Sequence, residues 1–190
     1  YAPKKFVNRY KEIEAVISML KDPRPRTRAI VFEGERGTGK LWLSLHLHRT
    51  KFKELNGITS WLFSLAPVAE GYKPWGKKMR ANEYFVKYGK RFEIDKFLLN
   101  IAKNLFVELP HAHTIFEIVA DIRRYMQNHS DERFVLILDS AYESEWSLLE
   151  QLETYLLGDL LKLKNFFVII TGRGRPYPWR IPHLIEAIRF

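Results

Sequence analysis

Val31-Phe32-Glu33-Gly34-Glu35-Arg36-Gly37-Thr38-Gly39-Lys40-Leu41 is the stretch whose reading decides the fold. Gly34, four residues, then Gly39 and Lys40 have the spacing of a phosphate-cradling loop. In such a loop consecutive backbone N–H groups turn inward on a triphosphate, and the Lys ammonium reaches its outer phosphates. A Cβ would block the close approach of phosphate oxygens and the positive φ angles of the wrap, and the helix that follows adds its dipole. Gly34, Glu35, Arg36, Gly37, Thr38, Gly39 and Lys40 are therefore candidate nucleotide-binding residues, with Leu41 opening the helix. Leu41 is also the departure from the pattern. Ser or Thr usually stands there, and its hydroxyl ligates the Mg²⁺ carried by the nucleotide. Leucine has no oxygen to give, so Mg²⁺ is expected to be weakly held or held through water.

The surroundings strengthen the loop reading. Ala29-Ile30-Val31-Phe32 is a short apolar run behind a Pro-rich break, as a buried strand feeding such a loop should be. The segment after the loop is ambiguous, because Leu41, Leu43, Leu45 and Leu47 alternate with Trp42, Ser44, His46 and His48 at a strand-like period of two. A helix is nevertheless expected. Leu is a good helix former without β-branching, no turn signal interrupts the run before Phe52, and a helix between a sheet and its neighbours can be apolar on more than one face.

Composition bounds the rest. A chain of 190 residues, 46% hydrophobic and 14% aromatic, can bury one substantial core, and its length suggests a single domain spanning 1–190. No apolar run approaches the length of a membrane span, and Tyr1-Ala2-Pro3-Lys4-Lys5 lacks the apolar stretch of a signal peptide. Cysteine is absent, which excludes disulfides and thiolate metal sites and fits a cytoplasmic protein. The chain has no initiator Met and reads as a fragment of a larger multidomain protein.

The net charge of +9 raises the possibility of a nucleic-acid partner. Much of it is concentrated in a basic insertion at 66–92. Lys73, Lys77, Lys78, Arg80, Lys87, Lys90 and Arg91 stand there against only Glu70 and Glu83, with Tyr72, Trp75, Tyr84, Phe85 and Tyr88 interleaved. Cations among aromatics could grip a single strand by phosphate contacts and base stacking. The favoured alternative is a long solvated insertion whose aromatics pin it to the domain, since charge runs are usually solvated faces. Nucleic acid remains a possible but not a favoured partner.

Ile13, Val16, Ile17 and Leu20 recur at helical spacing, predicting an N-terminal helix over 8–21 that stops at Asp22-Pro23-Arg24-Pro25. Ile58-Thr59-Ser60-Trp61-Leu62-Phe63 reads as a second strand. A helix is expected from about Ile94 to before Pro110. Another begins at Thr114, where Thr114 and Glu117 have the form of a capping box. Phe134-Val135-Leu136-Ile137-Leu138 is a buried strand ending on Asp139. A carboxylate at that end of an α/β sheet lies where ligands bind, next to the glycine loop if the two strands are neighbours, and in nucleotide sites it usually serves the metal through water. The bland alternative is an Asp that simply caps a turn. After a helix from about Ser144 to Leu161, Phe166-Phe167-Val168-Ile169-Ile170 is another buried strand, followed by Thr171-Gly172-Arg173. An Arg at a strand's C-terminal edge could pair bidentately with a γ-phosphate and report its presence. Leu184-Ile185-Glu186-Ala187-Ile188 is expected as a last short strand.

Taken together, these residues resemble the nucleotide-binding core of the STAND class of signalling ATPases, relatives of the AAA+ ATPases. Gly34 to Lys40 is similar to their phosphate loop, and Leu138-Asp139 to their Walker B strand end, with Ser140 where that class tends to have a second acid. Ile169-Ile170-Thr171-Gly172-Arg173 is similar to their strand ending in Thr-x-Arg, whose Arg senses the γ-phosphate. Phe6-Val7-Asn8-Arg9 looks like their N-terminal motif beside the adenine, with Asn8 replacing its Gly. The resemblance implies a three-layer α/β/α P-loop NTPase core with a mainly parallel sheet, holding ATP or ADP. Val7 and Arg9 would lie by the base, Asp139 would be the metal-serving and catalytic carboxylate, and Arg173 the sensor. It further implies a signalling switch, ADP-bound at rest and homo-oligomeric when ATP-bound, a slow ATPase at most, with sensor and effector domains outside this fragment and no membrane. An AAA+-like ATPase acting on nucleic acid and a degenerate scaffold that binds no nucleotide are the alternatives.

Overall fold

A computed structural model describes residues 9–35, 38–68, 79–87, 93–105, 107 and 114–190. The first described element is helix α1 (Tyr10–Lys21), whose Ile13, Val16 and Leu20 are buried as the sequence predicts, while Met19 is buried and the expected Ile17 only partly so. Arg133 Nε donates to the Leu20 carbonyl at 2.8 Å, satisfying one of the acceptors left over at the end of α1. Strand β1 (Ala29–Glu33) follows. Helix α2 (Lys40–His46) continues through a π-helical turn (Leu47–Lys51) into the short helix α3 (Phe52–Glu54). The period-two alternation of this stretch is thus not a strand. Ser44 and His48 are buried along with Leu43, Leu45 and Leu47, because both find polar partners below the helix.

Strand β2 (Ile58–Val68) is longer than expected, and β3 (Glu83–Lys87) lies inside the basic insertion. There Tyr84 packs edge-on against Phe63 and Phe97, so this part of 66–92 is sheet rather than solvated loop. The remaining elements are α4 (Ile94–Asn104), α5 (Ile115–Asn128), β4 (Arg133–Asp139), a 3₁₀ turn (Ala141–Glu143), α6 (Trp146–Leu152), a second π turn (Glu153–Leu157), α7 (Gly158–Leu160), β5 (Phe166–Gly172), α8 (Pro182–Ile185) and β6 (Ile188–Arg189). Thr114 does cap α5: its hydroxyl accepts from the Glu117 backbone N–H at 3.2 Å. The expected strand at 184–188 is corrected. Pro182 starts a helical turn that buries Leu184, and pairing with β1 begins only at Ile188, continues through Arg189 and is extended by Phe190, which exchanges backbone bonds with Val31 and Glu33.

The six strands lie in the order β3-β2-β4-β5-β1-β6, and every pairing is parallel. Alternate strand residues face opposite layers. Ile30, Phe32, Leu62, Val135, Ile137, Phe167 and Ile169 pack against α1, α2 and Phe52, whereas Val31, Trp61, Phe63, Leu136, Val168 and Ile170 pack against α4 to α8. Strands buried on both sides are near-continuous apolar runs, as Phe134 to Leu138 and Phe166 to Ile170 are. The chain leaves β1 toward β2 on one face and leaves β5 toward β6 on the other. The neighbouring strands β1 and β5 therefore form the switch point, above whose ends a doubly wound sheet has its ligand crevice. Among the described residues no helix is long and apolar enough to cross a membrane.

Candidate functional site

The glycine loop occupies one side of that crevice. Gly34 leaves β1 with φ 145° and Gly39 precedes α2 with φ 80°, both in the range where a Cβ is strained. Lys40 folds back inside the curl: its Nζ donates to the carbonyls of Gly34 and Glu35, each at 2.8 Å, and to Thr38 Oγ1 at 3.0 Å. Thr38 Oγ1 in turn donates to the Glu35 carbonyl at 3.0 Å. Arg9 reaches the same loop from the start of α1, its Nη2 donating to the Thr38 carbonyl while Nη1 donates to Glu12 at 2.5 Å. Leu41 turns away, partly buried against the core on the α1 side. Val7, Arg36 and Gly37 lie outside the described residues.

Asp139 stands at the end of β4, and β4 is not the neighbour of β1. Strand β5 runs between them, so the condition for direct adjacency to the loop is not met, and Asp139 instead meets the loop's helix at Ser44 over the end of β5. Leu138 pairs with Ile170 and Phe32 with Thr171, which brings Asp139, Thr171 and the first residues of the loop to one level. The carboxylate is 2% exposed and fully engaged. Oδ1 accepts from Thr171 Oγ1 at 2.7 Å and from Ser44 Oγ at 3.2 Å, and Oδ2 accepts from Ser140 Oγ at 3.0 Å. Burial pushes its pKa up, and the three hydroxyl donors, Thr171, Ser140 and Ser44, pull against that. Ser44 is the residue that reading the sequence passed over. The available signal was its position four residues after Lys40, as a hydroxyl amid leucines on the same helix.

Arg173 follows β5 and pairs through Nε with Glu143 Oε1 from the 3₁₀ turn. Ser140, at φ 56° and ψ 38°, makes the reversal that swings this turn over the sheet edge. Desolvation lowers the Lys40 pKa, Glu143 and Asp139 raise it, and Arg173 and Arg9 lower it, so four neighbouring charges act on Lys40. The fold thus gathers Arg9, Lys40, Asp139 and Arg173 from four separate stretches and adds Ser44, Thr171 and Glu143. Two cations, Lys40 and Arg173, border a crevice backed by a hydroxyl-bound carboxylate. Such an arrangement can bind a polyanionic chain of phosphates. Among the described residues no cluster of carboxylates and imidazoles could hold a metal by itself, so the donor set fits a divalent ion only if phosphate oxygens and water complete its shell.

No family model matches the chain by sequence, and no curated protein matches it. Solved structures do. Cdc6p from Pyrobaculum aerophilum superposes with a TM-score of 0.58 at 18% identity, covering 100% of this chain and 47% of that one. The Drosophila ORC structure, solved bound to DNA, superposes with a TM-score of 0.54 at 14% identity, covering 95% of this chain and 83% of that one. This chain spans about half the length of the Cdc6p chain. At such identities the likeness is one of fold, and the fold it establishes is the three-layer α/β/α P-loop NTPase core with a parallel sheet.

Proposed function

We propose that the chain is the adenine-nucleotide-binding core of an AAA+-related ATPase, working as a switch that distinguishes ATP from ADP. The observation that carries the reading is the Lys40 ammonium, curled 2.8 Å from the Gly34 and Glu35 carbonyls at the switch point of a parallel sheet. Phosphates entering the crevice would take Lys40 and the loop's backbone N–H groups as partners. Arg9 supports the rim of the loop, and Arg173, paired with Glu143 after β5, would meet a terminal phosphate. Mg²⁺ would arrive with the nucleotide and supply Lewis-acid charge; Asp139 would address it through water, because its oxygens already accept three hydroxyl bonds.

Slow or absent hydrolysis belongs to the same reading. Ser140 holds the position of a second acid and donates to Asp139 instead of activating water. A switch needs the two nucleotides to bind its two states with different affinity, and the ADP-bound resting form, the oligomeric ATP-bound form, and sensor and effector domains elsewhere in the protein complete it. A second reading, an AAA+-like ATPase acting on nucleic acid, is favoured by the net charge of +9 and by the similarity to an ORC structure solved with DNA.

Calorimetric titration of ADP and ATP into the parent chain and into Lys40→Ala tests the proposal. The parent should bind. The folded variant should lose at least about tenfold in affinity, because a charge-assisted phosphate contact is worth roughly 1.5–3 kcal/mol. Equal affinity in the two proteins would remove the nucleotide site from this loop, and no binding in the parent would leave a scaffold.

A further inference from the structure

We propose that Glu143 is a built-in competitor of the γ-phosphate, a carboxylate carried over the sheet edge to hold Arg173, and that it sets how strongly the site prefers nucleoside triphosphate to diphosphate. The inference rests on the nucleotide reading of the crevice. Its geometry comes from the turn after β4. Ser140 takes a left-handed conformation at φ 56°, the turn Ala141–Glu143 follows, and Ser144 Oγ closes it on the Ala141 carbonyl at 2.6 Å. The turn is further fixed from below, since the Ser140 backbone N–H donates to Thr171 Oγ1 at 3.0 Å and Ala141 and Tyr142 are buried. Glu143 is thereby placed on Arg173, which is 42% exposed while Glu143 is 21% exposed.

The same carboxylate is the foremost charge acting to raise the Lys40 pKa, ahead of Asp139. Glu143 therefore pairs with one of the cations that a terminal phosphate would seek and acts through its field on the other, and presents to Arg173 the charge that the phosphate would bring. Binding a triphosphate requires Arg173 to exchange one anion for another, and leaves Glu143 beside added negative charge. A diphosphate stops short of Arg173 and demands no such exchange. The pair is also partly open to water, so its hold is modest and reversible, as a competitor's must be.

The experiment measures ATP and ADP affinities for the parent, Glu143→Gln, Glu143→Ala and Arg173→Ala, and for the double variant Glu143→Gln with Arg173→Ala, all at low salt. Glu143→Gln and Glu143→Ala should both raise the ATP-over-ADP preference, by about three- to tenfold, and added salt should narrow the difference. Arg173→Ala should weaken ATP more than ADP, and adding Glu143→Gln should recover part of that loss by removing the stranded carboxylate. An unchanged or lowered ATP preference in both Glu143 variants, with ADP still bound, overturns the role of Glu143 and leaves the nucleotide site standing. Failure of the parent to bind either nucleotide overturns both.

Discussion

Leu41 sits one residue beyond Lys40, at the place where a hydroxyl would enter the metal's shell, and the structure shows what it does instead. Its side chain packs on the apolar layer beneath α1, so the position contributes packing rather than coordination. In the proposed site, a phosphate cradle of backbone N–H groups and Lys40 would not depend on that hydroxyl, whereas charge developing during phosphoryl transfer would rely on a well-placed metal. Chelating Mg²⁺ should therefore change ATP affinity of the parent by less than about threefold, and Leu41→Thr should make ATP binding metal-dependent at a stability cost of about 1 kcal/mol for lost packing. Titrations with and without Mg²⁺ check this; strong metal dependence in the parent would show the shell to be completed by other oxygens. Gly172 is a residue of another kind, set by close approach. A Cβ there would lie 2.5 Å from the Tyr142 ring, which rests on the end of β5 and whose hydroxyl accepts from Trp179 Nε1 at 3.2 Å, and so spaces the turn bearing Glu143.

Among the elements, β3 is held in the sheet by a buried polar cluster at its first residue. Glu83, fully buried in its side chain, accepts from Arg49 Nε and Nη2 at 2.7 and 2.6 Å and from the Arg80 backbone N–H at 3.1 Å. His48 lies between, its Nδ1 2.8 Å from Ser60 Oγ and its Nε2 3.5 Å from Glu83. The π turn makes this possible by presenting His48 and Arg49 together on the inner side of the helix. Burial by itself pushes the Glu83 carboxyl up, but the nearby His48 imidazole and the bonds from Arg49 and the Arg80 N–H outweigh it and leave it at about 2. The folded pKa is below the ordinary 4.5, so the contribution is complete above 4.5 and is lost as pH falls through about 2. His48 acts in the same direction at higher pH. Burial holds it below 6.5, so the unfolded chain binds its proton more readily and stability falls as pH drops under that value. Glu83→Ala, which strands Arg49, should cost about 3–5 kcal/mol. Glu83→Gln should flatten the stability loss between pH 4.5 and about 2 while keeping the part due to His48. Denaturant unfolding across that range measures both, and an unaltered acid limb in Glu83→Gln would assign the loss to other carboxylates.

At the scale of the whole molecule the net charge of +9 separates the two functional readings. If a single-stranded nucleic acid is a partner, its affinity must fall steeply with salt as counterions are released, and reversing Lys77, Lys78 and Arg80 should flatten that slope. The switch reading expects no binding at micromolar protein in moderate salt, which fluorescence anisotropy with a labelled oligonucleotide decides; micromolar, salt-dependent binding would advance the nucleic-acid reading above it. The sequence by itself determined the layered α/β class, since apolar runs flanked by helical periodicities and a glycine loop are local signals. The turn after β1 was legible too, because Gly34 and Gly39, which take positive φ, and Lys40, which folds back on the Gly34 and Glu35 carbonyls, all stand within one short stretch. Tertiary structure alone decided the rest. Nothing local says that β5 lies between β1 and β4, since strand order is set by how crossovers pack layers against the sheet. For the same reason β3 was illegible: a short edge strand among cations is fixed by Glu83 meeting Arg49 and His48, residues 34 and 35 positions away. The 184–188 strand became a turn because Pro182 favours a helix start and Leu184 has a pocket in the core. Ser44 on Asp139 and Glu143 on Arg173 likewise join side chains from separate elements, and only the register of a parallel sheet brings their strand ends level.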